Sequence, residues 1–233
     1  YADVAIKKAS KGINKHSMVF NRREYVRWID DCYMLIGKSY FYKQDYPMAR
    51  RTFEFVIKTY NYNEIKYPAM LWQARANIQI GDFNRAEPML DMLQSKIAKG
   101  DAPVKYETEL NLLYAQFYIM EKNYDPAVPY INRALELHPK SAERTRCQFI
   151  LGQIHQHNGE LNEASRMYAA VIKHAKSYEM EFNAKINLAQ CYDATTGNRE
   201  YIIKKLTKML KDDKNKDFQD QIYYALAHIA LKD

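Results

Sequence analysis

Glycine and proline are scarce in this chain, seven of each among 233 residues, and no serine-rich or single-charge block interrupts it. Collagen-like and low-complexity organisation is thereby excluded, and no linker marks an internal boundary. Long apolar runs are missing too: nothing approaches the ~18 consecutive apolar residues of a membrane-spanning helix. Three further absences bear on chemistry, for there is no glycine-rich phosphate loop, no His-Glu-x-x-His and no Gly-x-Ser-x-Gly. His155 and His157 stand two apart, which points them to different faces of a helix. Glu107, Glu109 and Glu121 read as solvated helix surface. No catalytic residue, metal site or cofactor is expected.

Cysteine is represented by Cys32, Cys147 and Cys191 alone. They are spaced like packing residues and are read as buried small hydrophobes, a usage that leans toward a reducing compartment. Charge is unbalanced, with 35 Lys and Arg against 28 Asp and Glu. The excess gathers at Lys7, Lys8, Lys11, Lys15, Arg22, Arg23 and Arg27, and again at Lys204, Lys205, Lys208, Lys211, Lys214 and Lys216. The second group is interleaved with Asp212, Asp213 and Asp217, and neither carries a nucleic-acid motif. Both read as solvated helix faces, and no nucleic-acid partner is expected.

What the chain does have is repetition. Ala49, Ala86, Ala127 and Ala164 recur 37, 41 and 37 residues apart, each four residues before Phe53, Leu90, Ile131 or Tyr168. Twelve residues upstream stand Gly37, Ala74, Ala115 and Gly152; nine upstream stand Tyr40, Asn77, Tyr118 and His155. Between them lie turns at Gln44 to Tyr46, Gly81 to Phe83, Lys122 to Tyr124 and Gly159 to Leu161, in which Asp45, Asp82 and Asn123 are natural N-caps. This register resembles the tetratricopeptide pattern W-x2-L-G-x2-Y, A-x3-F, P. Repeat one fills it with Tyr33, Ile36, Gly37, Tyr40, Ala49, Phe53 and Asn61, repeat four with Gln148, Leu151, Gly152, His155, Ala164 and Tyr168, and repeat three closes on Pro139. Small residues at slots eight and twenty let the two helices of a hairpin touch.

The fold expected is therefore all-α, a right-handed tetratricopeptide superhelical solenoid of about twelve helices forming one array over residues 1–233. Five helix pairs are read at about 25–60, 64–99, 103–137, 141–175 and 178–211, with a half repeat at each end, 1–16 and 217–231. On α-helical spacing Val4, Ala5, Ala9, Gly12 and Ile13 share one side of the first half repeat. Uncapped ends read as those of a fragment of a longer protein. Pro103 suits a first helical turn, while Pro88 and Pro129 should each bend a second helix. Repeat five is the least regular: Thr195 to Glu200 makes a longer turn, and Ile203 replaces the expected small residue.

The functional surface of such an array is the groove built by its first helices. Slot nine gives Lys38, Arg75, Gln116, Gln153 and Gln190, a polar ladder. Slot five gives Met34, Leu71, Leu112, Phe149 and Ile186, which reads equally as half-buried packing, and slot twelve gives Phe41, Ile78, Ile119, Gln156 and Asp193. Lys38, Phe41, Arg75, Ile78, Gln116, Ile119, Gln153 and Gln190 are the candidate partner-binding residues. The N-terminal half, apolar with two cations, suits a peptide or helix with apolar anchors and an acidic group. The Lys-Asn-Asn-Lys-Arg clamp that some such domains use for chaperone C-termini is absent, since slots two, five, six and nine hold Asp31, Met34, Leu35 and Lys38, then Pro68, Leu71, Trp72 and Arg75.

Lys7 to Ser17 (KKASKGINKHS), the W-x-D-D-x-Y-x-x-I-G run at Trp28 to Gly37 and the Tyr-Lys-x-x-Tyr turn at Tyr42 to Tyr46 together resemble the SprE/PorW-like tetratricopeptide lipoproteins of Bacteroidota gliding motility and type IX secretion. The resemblance covers about the first 60 residues. It implies a non-enzymatic scaffold on the periplasmic face of the outer membrane, tying secretion-system components together and anchored by a lipidated cysteine before Tyr1. The membrane is then reached only through that outside anchor, and the three cysteines inherit no role. Readings that the residues leave open are a cytosolic adaptor or regulator, and the repeat portion of a protein with a catalytic domain elsewhere.

Overall fold

A computed structural model describes residues 1–137, 140–191 and 199–231. Among them run twelve α-helices: α1 (Ala2–His16), α2 (Ile29–Tyr42), α3 (Tyr46–Thr59), α4 (Lys66–Gln79), α5 (Phe83–Ala98), α6 (Glu107–Met120), α7 (Ala127–Glu136), α8 (Ser141–His157), α9 (Leu161–His174), α10 (Tyr178–Gln190), α11 (Arg199–Leu210) and α12 (Gln219–Leu231). A short antiparallel hairpin, β1 (Val19–Phe20) and β2 (Arg23–Glu24), stands between α1 and α2. Sequence periodicity did not foretell it. Its turn residues Asn21 and Arg22 both take positive φ, the geometry of a tight hairpin turn, without the glycine that usually advertises one. Glu24 secures it, accepting from the Ser17 hydroxyl at 2.5 Å and from the Met18 and Val26 amides at 2.9 Å each. Desolvation works against ionisation of this carboxyl, but those donors hold it below the usual range.

The second helices show one burial pattern. Ala49, Phe53 and Val56 on α3, Ala86, Leu90 and Leu93 on α5, Ala127, Ile131 and Ala134 on α7, and Ala164, Tyr168 and Val171 on α9 are all buried. Each set falls at i, i+4 and i+7, a single stripe turned to the core. First helices are wrapped more fully: α4 buries Tyr67, Ala69, Met70, Leu71, Ala74, Ala76, Asn77 and Ile78, because α3, α5, α2 and α6 all pack against it.

Slot eight and the bulky residue of its partner helix are matched in size. A Cβ added to Gly37 would stand 2.5 Å from Phe53, and one added to Gly152 would stand 2.7 Å from Tyr168. Where slot eight is alanine, at Ala74 and Ala115, the facing residue shrinks to Leu90 or Ile131. All four slot-twenty alanines are fully buried.

First helices also end alike. Gln44, Gly81, Lys122 and Gly159 adopt φ between 61° and 78°. The next residue's amide reaches back five positions in every case: Asp45 to Tyr40, Asp82 to Asn77, Asn123 to Tyr118 and Glu160 to His155, at 2.8 to 3.0 Å. This is the Schellman ending, which satisfies the last carbonyls and reverses the chain.

Several local expectations are corrected. Asp45 caps α3 through the Met48 amide at 3.2 Å. Asp82 occupies the cap position of α5 but makes no cap bond, its carboxylate facing Arg50 and Arg85 instead at 3.3 and 3.4 Å. Asn123 is not a cap, since α7 starts only at Ala127. That places Pro129 in the first turn, where no intrahelical amide bond is lost; Pro88 does lie inside α5. Pro103 precedes a 3-10 turn at Val104–Tyr106, and α6 follows at Glu107. Of the expected α1 stripe, Ala9 and Ile13 are buried against Ile29 and Ile36, whereas Val4 is exposed. Pro139, Asp193 and most of the Thr195 to Glu200 turn lie outside the described residues.

The chain divides into two compact units, Tyr1–Ala134 and Leu135–Asp233. In the first, consecutive helices α1 to α6 pack in sequence, and α7 joins α6 through Tyr114 stacked on Tyr130 at 4.5 Å. In the second, α8, α9 and α10 pack in turn, and α12 covers α10 and α11 around Phe182, Ile186, Leu206, Ile222 and Ile229.

Candidate functional site

In the first unit α2, α4 and α6 lie side by side, so slots on successive first helices become neighbours. Lys38 on α2 and Arg75 on α4 meet at a residue from a different slot, Trp72. The Lys38 Nζ stands 5.2 Å from the indole centre and the Arg75 guanidinium 4.5 Å. Phe41 meets the same indole edge-on at 5.3 Å, with Tyr42 at 6.0 Å. Leu35 and Tyr42 extend the surface, 46% and 72% exposed. Arg75 also pairs with Glu109 of α6 at 3.0 Å, whereas Lys38 forms no ion pair among the described residues. Its charge is felt by Asp31, whose carboxyl is pushed up by burial and by neighbouring Asp30 against the pull of Lys38.

The remaining candidates sort differently. Ile78 is fully buried among Leu71, Ala74, Ala86, Leu90 and Phe117, so it packs the core and presents nothing to a partner. The reason is the wrapping of α4, which leaves slot twelve inside. Gln116 and Ile119 are half-buried on α6. Met34, Leu71 and Ile186 of slot five are buried, which makes that row packing. In the second unit Gln153 is exposed, and Gln190 accepts from Gln156 at 3.4 Å. Gln190 further lines a polar cleft of about 450 Å³ between α10 and α12, with Asn183, Asn187, Asp220 and Tyr224.

Sequence reasoning missed Trp72 as the centre of the first-unit site, together with Leu35, Tyr42 and Glu109. A signal was present: Trp72 is three residues before Arg75, one turn along the same helix face.

None of the three cysteines is in a disulfide. Burial pushes the Cys147 thiol up to about 11, which suits a packing residue and not a nucleophile. Among the described residues no group of His, Cys, Asp or Glu is placed to hold a metal ion, and no helix is long and apolar enough to cross a membrane.

No curated protein matches the chain in sequence. Residues 108–141 match the tetratricopeptide repeat, a stretch that holds α6 and α7. Among solved structures the chain is similar to one in the crystal structure of the APC/C hetero-tetramer Cut9-Hcn1, at 14% identity and a TM-score of 0.56, over 99% of this chain. It spans 40% of that chain's length. A thermophilic TPR protein in Thermus thermophilus aligns with 85% of this chain and 99% of its own at 17% identity, with a TM-score of 0.44. At 14% identity the first likeness speaks to fold alone, and it agrees with the matched repeat, the paired helices and the recurrent Gly/Ala slots. The described residues form an all-α fold of helices packed in consecutive pairs, in which residues 108–141 match the tetratricopeptide repeat.

Proposed function

We propose that this chain is a non-enzymatic scaffold whose first-unit helices α2 and α4 hold a protein segment carrying apolar anchors and an acidic group. The observation that carries the reading is the pair of cations on Trp72, flanked by the exposed side chains of Leu35 and Tyr42. Aromatic and apolar surface supplies the anchoring area, and Lys38 is a cation held in place without a carboxylate of its own. An acidic group arriving there gains a charge-assisted contact in a partly desolvated setting. Gln116 and Ile119 on α6 offer further polar and apolar contacts within the same unit.

As to setting, the proposal places the scaffold among type IX secretion and gliding components at the periplasmic face of the outer membrane. Support comes from the motifs within the first 60 residues, Lys7 to Ser17 and Trp28 to Gly37 above all. A cytosolic adaptor is the second reading, favoured by three cysteines outside any disulfide. Fractionation of the native cells decides between them: recovery with the outer membrane supports the first, recovery in the cytosol the second.

Binding is tested by charge reversal. Lys38→Glu with Arg75→Glu should weaken capture of the native partner at least tenfold, about 1.4 kcal/mol, at matched helicity by circular dichroism. Reversal of exposed Lys11 and Arg51, on α1 and α3, should leave it unchanged. Equal affinity of the first double variant and the parent removes this face from the account.

A further inference from the structure

The second unit contains a cavity of about 710 Å³ between α9, α10 and α11. Its apolar lining comes from Ile172, Leu188, Ala189, Ile202, Leu206 and Met209. Four lysines, Lys185, Lys205, Lys208 and Lys211, border it, against a single carboxylate, Asp212.

The origin of the gap is a departure from the repeat. In the other repeats a small residue on the second helix lets it close on the first. Here the stripe facing α9 and α10 is Ile202, Leu206 and Met209, at i, i+4 and i+7. That spacing puts Ile202, rather than Ile203, in the place held by Ala49, Ala86, Ala127 and Ala164. That branched side chain and Ala189 both line the cavity, where apolar surface is left open between α10 and α11.

The border is charged in one direction. Lys185 pairs with Glu181 one turn back at 2.6 Å, and the Asp212 carboxylate accepts from the Lys214 amide at 3.1 Å. Lys205 lies over the Tyr201 ring at 4.8 Å, and Lys205, Lys208 and Lys211 form no ion pair among the described residues. Three ammonium groups thus stand at the edge of an apolar hollow, outnumbering the one carboxylate, Asp212, that borders it among the described residues.

We propose that this cavity binds a single-chain anionic amphiphile, an unbranched carboxylate whose hydrocarbon tail fills the hollow between α10 and α11 and whose head meets Lys205 and Lys208. Size argues against a docked helix: with side chains an α-helix is ~10–12 Å across and fills roughly 500 Å³ per turn, so the cavity holds little more than one turn. It is within the range of small-ligand pockets, ~300–1,000 Å³ and mostly apolar with a few placed polar groups. The site is separate from the α2 and α4 face and does not depend on it.

The test uses the 233-residue chain and dodecanoate, with dodecanol and acetate as probes lacking the head charge and the tail, all below micelle-forming concentrations and followed by calorimetry at low salt. Dodecanoate should bind saturably and at least tenfold tighter than either. Lys205→Ala with Lys208→Ala, both exposed and expected to fold, should lower dodecanoate affinity tenfold or more while changing that of dodecanol less than twofold. Ala189→Leu, which fills the hollow, should abolish binding of both, and added salt should erode the preference for the carboxylate. Absence of saturable dodecanoate binding, or unchanged affinity in the double lysine variant, overturns the proposal. So does displacement of dodecanoate by an acidic amphipathic peptide that binds more tightly through the same lysines.

Discussion

A methyl group placed on Gly37 lands 2.5 Å from the Phe53 ring, closer than packed carbons tolerate. Two opposed effects decide the outcome. Alanine is better than glycine inside a helix by ~1 kcal/mol, but overpacking a tight contact costs ~1–3 kcal/mol. Gly37→Ala alone should therefore be destabilising by about 1 kcal/mol, and Phe53→Leu alone by more, since it empties a fully buried site. Combined, they recreate the Ala74 and Leu90 pairing of the next repeat, and the double variant should lose at least ~1 kcal/mol less than the two singles summed. Denaturant unfolding of the four proteins measures this; strict additivity would show that the two positions do not face each other. The pairing was legible in the chain because glycine goes with an aromatic, at Gly37 with Phe53 and Gly152 with Tyr168, and alanine with a smaller aliphatic, at Ala74 with Leu90 and Ala115 with Ile131. Trp72 was not, since it occurs once and repetition cannot flag a single residue.

Helix endings carry the next level of regularity. All four described turns at slots fifteen to seventeen need a left-handed residue at slot fifteen, and two of them use glycine while Gln44 and Lys122 do not. A side chain in that conformation costs ~1–2 kcal/mol relative to glycine, partly offset by glycine's larger unfolded entropy. Gln44→Gly and Lys122→Gly should each raise stability by about 0.5–1 kcal/mol, seen as a higher thermal midpoint without change in helicity. A fall in either midpoint would mean the side chain is supporting the turn. Elements whose signal is local were readable in advance, which is why the turns and the buried stripes of α3, α5, α7 and α9 could be placed from spacing. The hairpin at Val19 to Glu24 escaped because Asn21 and Arg22 take positive φ without a glycine to signal the turn, and because Glu24's side-chain bonds to Ser17, Met18 and Val26 leave no trace in hydrophobic periodicity. Burial of Ile78 escaped for a related reason: helices packed around α4 decide which side of it is wet.

For the molecule as a whole, the second helices hide one stripe in the core while first-helix side chains vary, so on the proposed reading stability and recognition draw on different slots. Slots eight and twenty keep their small residues over four repeats, while slot nine changes from Lys38 and Arg75 to glutamines at 116, 153 and 190. The account's central claim is that the partner lies across α2 and α4 at Trp72. Photo-crosslinking from single positions in the native cells tests it directly. Crosslinkers at Leu35, Tyr42 and Gln79 should trap one protein whose linked segment carries apolar and acidic side chains, and those at Arg51 and Met92 on α3 and α5 should trap none. A partner trapped from Arg51 or Met92, with nothing from Leu35 or Tyr42, would contradict the account.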